Sequence, residues 1–173
     1  MTLIPTVSIA AMLLATMVLA PRAAAQIPGS MRAEHHEIHD ALVALTRVAG
    51  PVGAAARELA AVLDPHFARE EQIALPPLGL LAPLAGANNV TPAMRAILPI
   101  TDSLRTELPR MLEEHKAIHA ATVKLREAGK AANNAAAIRF AETLALHAQN
   151  EEEILYPAAL LVGDIVRARL RQD

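Results

Sequence analysis

The chain has 173 residues, enough for one domain with a single buried core and too few to expect two. Its 16 basic and 18 acidic residues form no run of five like charges, which excludes the electrostatic footprint of a nucleic-acid binder. The absence of cysteine excludes disulfides, thiolate metal sites and thiol nucleophiles, and a composition 53% apolar but only 2% aromatic reads as helical rather than stranded.

Residues 1–25 differ in kind from the rest. They carry no charged side chain before Arg22, an apolar run from Ile9 to Ala20, and the small-residue stretch Ala23-Ala24-Ala25. This is the pattern of a secretory signal peptide cleaved after Ala25, which would place the protein in the periplasm or outside the cell. A basic n-region is missing and Met31 stands directly before the first patterned helix, so a mis-assigned start and a cytoplasmic protein remain the alternative. The apolar span is also long enough, at about 20 residues, for a retained anchor. With the signal removed, no membrane association is expected, and the folded domain is expected over residues 31–173.

From Met31 onward apolar residues recur at alternating steps of four and three, one stripe along a helix. Met31, His35, Ile38, Leu42 and Leu45 form the first stripe, closed by Gly50-Pro51. Leu59, Val62, His66, Glu70 and Ile73 form the second, with a bend expected at Pro65 and a stop in "LPPLGLLAPLAGANN". Thr91-Pro92 predicts the start of a third helix, a capping Thr followed by Pro at the first helical position. Its stripe is Leu104, Leu108, Met111, His115, Ile118, Thr122 and Leu125, running to about Ala128. After a loop over Gly129 to Asn134 the fourth stripe is Phe140, Leu144, His147, Glu151, Ile154 and Ala158, and a shorter helix is expected after Pro157.

The two halves repeat one plan. "EHHEIH" (34–39) aligns with "EHKAIH" (114–119), and "HFAREEQIALP" (66–76) with "HAQNEEEILYP" (147–157), at offsets of 80 and 81 residues. A twice-used helix hairpin predicts an all-α fold, an antiparallel up-down four-helix bundle with a short C-terminal helix, whose core positions can carry metal ligands.

His35, His66, Glu70, His115, His147 and Glu151 all fall on stripe positions, inside the bundle. A buried ionised carboxylate is very costly unless it is paired or binds a metal. Here there are two, each four residues after a histidine, and residues at i and i+4 share a helix face about 5 to 6 Å apart. The set therefore reads as a metal site, with His119, one turn beyond His115, reaching the same ion. His39, its counterpart, sits on a helix that already offers His35 and His36; His36 steps off the stripe toward solvent. Glu71, Glu152 and Glu153 read first as a solvated face and second as hydrogen-bond partners of a ligand imidazole. Imidazole and carboxylate without thiolate suit iron, manganese or zinc.

At these residues the sequence resembles the haemerythrin-like family of HHE-type cation-binding domains, over about residues 31–160. "EHHEI", "HFAREE", "HKAIH" and "HAQNEE" look like its four helix motifs. The resemblance implies a non-haem di-iron centre, two iron ions per chain, with His35 and His66 serving one iron, His115, His119 and His147 the other, and Glu70 and Glu151 bridging. Oxygen carriers of the family have Asp five residues after the fourth-helix histidine; here Glu151 follows His147 by four, the pattern of the wider cation-binding group. The expected function is therefore binding of O2 or NO, or sensing of iron or redox state, rather than catalysis, with any protein partner left open. The alternatives are a peroxidase or ferroxidase-like enzyme, and a metal-stabilised interaction bundle. For the enzyme, Tyr156 is the candidate proton donor, though its place in the repeat matches Leu75, a packing position.

Overall fold

The computed structural model describes residues 26–87 and 90–171, and among them every regular element is helical. The signal expected over residues 1–25 lies outside the described residues.

Helices α1 (Gly29–Thr46) and α2 (Pro51–Ile73) meet at Gly50, whose φ of 78° is a left-handed conformation open to glycine at little cost. Pro51 opens α2 in its first turn, where the missing N–H has no helical acceptor to lose. The Pro- and Gly-rich stretch that reads as a loop is instead helical: a 3-10 turn over Pro76–Leu80 leads into α3 (Leu81–Ala87). Its prolines occupy the first turn, and Pro76, Pro77, Leu78 and Leu80 are buried, so the segment extends the core.

Thr91 makes no side-chain cap, and Pro92 starts a second 3-10 turn (Pro92–Ile97) rather than an α-helix. The α-helix proper, α4 (Leu98–Ala131), begins where Pro99 again falls in the first turn. Asn134 then caps α5 (Ala135–Asn150), its side-chain oxygen accepting from the Ala137 N–H at 3.0 Å. No separate terminal helix starts at Pro157: α5 passes through a π turn (Glu151–Leu155) straight into α6 (Tyr156–Arg169).

Helix α1 packs on α2 and α5, and α4 packs on the same two, so the four close a ring as a helical bundle. The stripes face inward as expected through Glu151. Beyond it the register shifts: Ile154 is exposed, whereas Tyr156 and Ala159 are buried. The π turn inserts one residue into the helical ladder, so every later side chain is rotated from its α-helical position.

A third apolar cluster (Leu80, Met94, Ile97, Val162 and Val166) packs around α6, and two larger ones fill the bundle. Leu42, Leu59, Leu125, Phe140 and Leu144 belong to one, and Leu75, Leu104, Met111, Tyr156 and Ala159 to the other. The titratable stripe residues fall between them along every helix.

Candidate metal centre

Six ionisable side chains from five helical segments converge in that middle layer: His35 from α1, His66 and Glu70 from α2, His115 from α4, His147 from α5 and Glu151 from the π turn. All six are buried, and the two carboxylates are 0% and 1% exposed, the environment in which an uncompensated charge is most costly.

They form two groups, and in each the donor atoms lie within 4.8 Å of one another. In the first, His35 Nε2 is 3.7 Å from Glu70 Oε2 and 3.6 Å from Glu151 Oε1, and His147 Nε2 is 3.0 Å from Glu151 Oε1. In the second, His66 Nε2 is 3.5 Å from Glu70 Oε1, His115 Nε2 is 3.6 Å from Glu151 Oε2, and the two Nε2 atoms are 2.8 Å apart. Each glutamate thus turns one oxygen to each group. The i, i+4 spacing in α2 and across the end of α5 is what places each carboxylate beside its own helix's imidazole.

Whether these residues suit a metal ion is tested by what their atoms otherwise bond. His35 Nε2, Glu70 Oε2, His147 Nε2 and Glu151 Oε1, the inward donors of the first group, are buried without a hydrogen-bond partner. Buried polar atoms are nearly always paired, so four unpaired donors converging within one group fit a bound cation. Nitrogen and oxygen donors without sulfur fit iron, manganese or zinc.

A ring of outer carboxylates orients the imidazoles. Glu34 Oε1 stands 3.1 Å from His147 Nδ1, Glu71 Oε1 3.4 Å from His35 Nδ1, Glu114 Oε2 3.0 Å from His66 Nδ1 and Glu152 Oε1 2.7 Å from His115 Nδ1. At His66, His115 and His147 an N–H donated outward at Nδ1 leaves the Nε2 lone pair pointing inward, the tautomer that a metal site needs, whereas Glu71 stands near His35 Nδ1 without bonding it. The repeat organises this ring: Glu34 and Glu114 are counterparts, as are Glu71 and Glu152. Arg110 Nε adds a hydrogen bond to Glu114 Oε1 at 2.8 Å.

The electrostatics follow from the same contacts. Burial alone would lower the His147 pKa, but the Glu151 carboxylate 3.0 Å away and the Glu34 carboxylate outweigh it and raise the value to about 9. His66 is raised likewise, burial being overcome by Glu70 and then Glu114. Glu151 is lowered to about 2 against its own burial, held by His147 and His35. Glu70 moves the other way, because burial and the nearby Glu151 charge dominate. Tyr156 is raised, by burial and then by the Glu70 and Glu151 charges, and its hydroxyl donates to Glu70 Oε1.

Six of the seven residues proposed from sequence are brought together, but not His119, which is exposed on the side of α4. Its spacing from His115 carries it past the inward line, where Ile118 and Thr122 are the buried next residues. The pairing differs as well: His35 stands with His147 and His66 with His115, because α1 packs against α5 and α2 against α4. His36 and His39 are exposed. Sequence reasoning missed Glu34 and Glu114, ranked an imidazole-bonding role for Glu71 and Glu152 behind a solvated face, and ranked proton delivery by Tyr156 behind packing; the signal for the four glutamates was their recurrence beside the histidines in both halves.

No curated protein and no solved structure matches the chain significantly. A family model described as "Hemerythrin HHE cation binding domain" matches residues 30–159, which span all six converging residues. The chain belongs to the haemerythrin family of HHE cation-binding domains.

Proposed function

We propose that the protein is a non-haem di-iron protein of haemerythrin type that binds O2 or NO, or senses iron or redox state through such a centre. The observation that carries this reading is the double use of Glu70 and Glu151, each offering one oxygen to each of two His-containing groups. Two shared carboxylates between two donor sets suit two ions held side by side. Zinc hydrolysis fits less well, since it uses one ion with about three protein ligands and an open position.

In this reading His35 and His147 hold one iron and His66 and His115 the other, Glu70 and Glu151 bridge, and His119 is no ligand. When bound, the iron pair supplies electrons and an open coordination position for a small diatomic molecule. The chain's own residues orient and shelter it. Glu114, Glu152 and Glu34 fix the tautomers of His66, His115 and His147, and Phe67, stacked on the His35 ring at a centroid distance of 4.0 Å, shields that histidine. Ile118 and Leu144 in one apolar cluster and Met111 and Leu104 in the other limit water at both ends of the layer. The helices are read as the antiparallel up-down bundle of two hairpins. Peroxide-consuming or ferroxidase-like turnover is the second reading, favoured by the Tyr156 hydroxyl at Glu70.

Residues 1–25 are proposed as a cleaved export signal, to be checked by sequencing the mature N-terminus. No helix among the described residues is long and apolar enough to cross a membrane.

The function is tested by loading the protein anaerobically with Fe(II), counting iron, and recording the visible spectrum before O2, after O2 and after an argon purge. Two irons and a band that appears and then vanishes is the result expected for reversible binding. A permanent ferric colour moves the reading to sensing or turnover, and fewer than two irons overturns the di-iron centre.

A further inference from the structure

The two groups of donors are related by the internal repeat, yet they are not equal. The repeat partner of Leu75 is Tyr156, and both are buried directly behind a shared glutamate. In both halves the backbone makes the same wide turn there: the Leu75 N–H donates to the Glu70 carbonyl at 2.9 Å, and the Tyr156 N–H donates to the Glu151 carbonyl. That turn aims residue 75 or 156 back at the layer. Leu75 brings only methyl groups. Tyr156 brings an oxygen.

The phenol oxygen lies among the donors of the second group. It is 3.0 Å from His115 Nε2 and 3.5 Å from His66 Nε2, and is hydrogen-bonded to Glu70 Oε1. Two ligands of one ion, each bonded at about 2.0 to 2.1 Å, stand about 3.0 to 3.4 Å apart in octahedral or tetrahedral arrangements. The hydroxyl therefore keeps from His115 the separation of a fellow ligand and stands just beyond it from His66. In the first group no oxygen occupies the corresponding place, and the inward atoms there are the unpaired donors.

We propose that Tyr156 is a ligand of the ion at the His66 and His115 position, bound as a phenolate when that ion is ferric, so that the two metal positions are chemically unequal. The inference rests on the di-iron reading above. On binding, the phenol O–H bond breaks, its electron pair stays on oxygen and is donated to the ferric ion, and the proton leaves to solvent. An anionic oxygen donor favours the higher charge on that ion. The ion held by His35 and His147 has fewer protein donors, which leaves it the better place for an added ligand.

Tyr156 is the only tyrosine and the chain has no tryptophan, so the spectroscopic reading is unambiguous. Full-length protein and Tyr156→Phe are loaded with Fe(II), oxidised with ferricyanide, assayed for iron and examined by visible absorption and resonance Raman. The expected result is a phenolate-to-iron charge-transfer band with enhanced tyrosinate ring modes in the parent, lost in Tyr156→Phe at two irons per chain. Two irons with no tyrosinate modes in the parent overturn the ligand assignment while leaving the di-iron reading standing. Failure of the parent to take up two irons overturns the di-iron reading and the Tyr156 assignment with it.

Discussion

At the scale of single residues, the outer carboxylates separate a site that is merely acidic from one that is built. Glu152 and Glu153 are neighbours, both exposed, both read from sequence as a solvated face. Glu152 bonds His115 Nδ1 at 2.7 Å, whereas Glu153 accepts from the Gln149 side chain at 2.8 Å and touches no imidazole. Removing a partner that fixes a ligand's orientation costs roughly 10 to 100-fold in metal affinity. Glu152→Ala is therefore expected to weaken metal binding by about that factor and Glu153→Ala to leave it unchanged, with both variants folding as the parent by circular dichroism. Equal affinities, measured by competition with a chelator, would show that Glu152 does not position His115. Glu70 is the other revealing residue. Its pKa is raised by burial and by the Glu151 charge, so its ionised form works against folding when no ion is bound. Glu70→Gln is expected to melt no lower than the parent without metal, and below it once both are supplied with Fe(II). A metal-free melting point lower than the parent's would overturn the view that this carboxylate is kept for binding rather than for stability.

At the scale of elements, helix stripes were legible because each apolar step of three or four maps directly onto burial, and His35, His66, Glu70, His115, His147 and Glu151 all fall where the stripes put them. What was not legible is any change in the ladder itself. "EEEIL" carries no proline or glycine to betray a π turn, so an α-helical period carried through it points Ile154 inward and hides Tyr156. Pro76 misled in the opposite sense, since it marks the first turn of a helical segment rather than a stop, while Pro92 opens a 3-10 turn and leaves the start of the α-helix itself to Pro99. His119 shows a third limit, since an i, i+4 pair shares a face only when that face is wide, and here Ile118 and Thr122 hold the inward line. The π turn can be tested as a register device. An α-helix advances about 100° per residue. Deleting Glu153 should restore the regular ladder and turn Tyr156, Ala159, Val162 and Val166 out of the core. The expected loss is at least about 3 kcal/mol, or roughly 6 to 12 °C in Tm. Glu153→Ala, which keeps the extra residue, should melt like the parent. A deletion variant as stable as the parent would show that the wide turn does not set the register of α6.

At the scale of the whole molecule, the buried layer links stability, protons and metal. His147 has a folded-state pKa raised from 6.5 to about 9, so the stability it contributes in metal-free protein is fully present below pH 6.5 and is lost as the pH climbs through 9. Glu151, lowered from 4.5 to about 2, contributes stability that is present above pH 4.5 and lost as the pH falls through 2. The two are partners in one contact, so their effects are one interaction seen from both sides. Glu70 has a raised pKa, so its contribution is largest at low pH and is lost as the pH rises. Metal-free protein should thus be most stable between about pH 4.5 and 6.5, and lose on the order of 3 kcal/mol by pH 9, about 10 °C in Tm. A bound cation reverses the alkaline limb, because it occupies the inward face of His147 and competes with the proton there. The gap in Tm between Zn(II)-loaded and metal-free protein should therefore widen from pH 6 to pH 9, and raising the pH should strengthen binding. Melting both forms across that range checks it: a gap that stays constant would mean that no proton leaves His147 when the ion binds, and that the ion sits elsewhere.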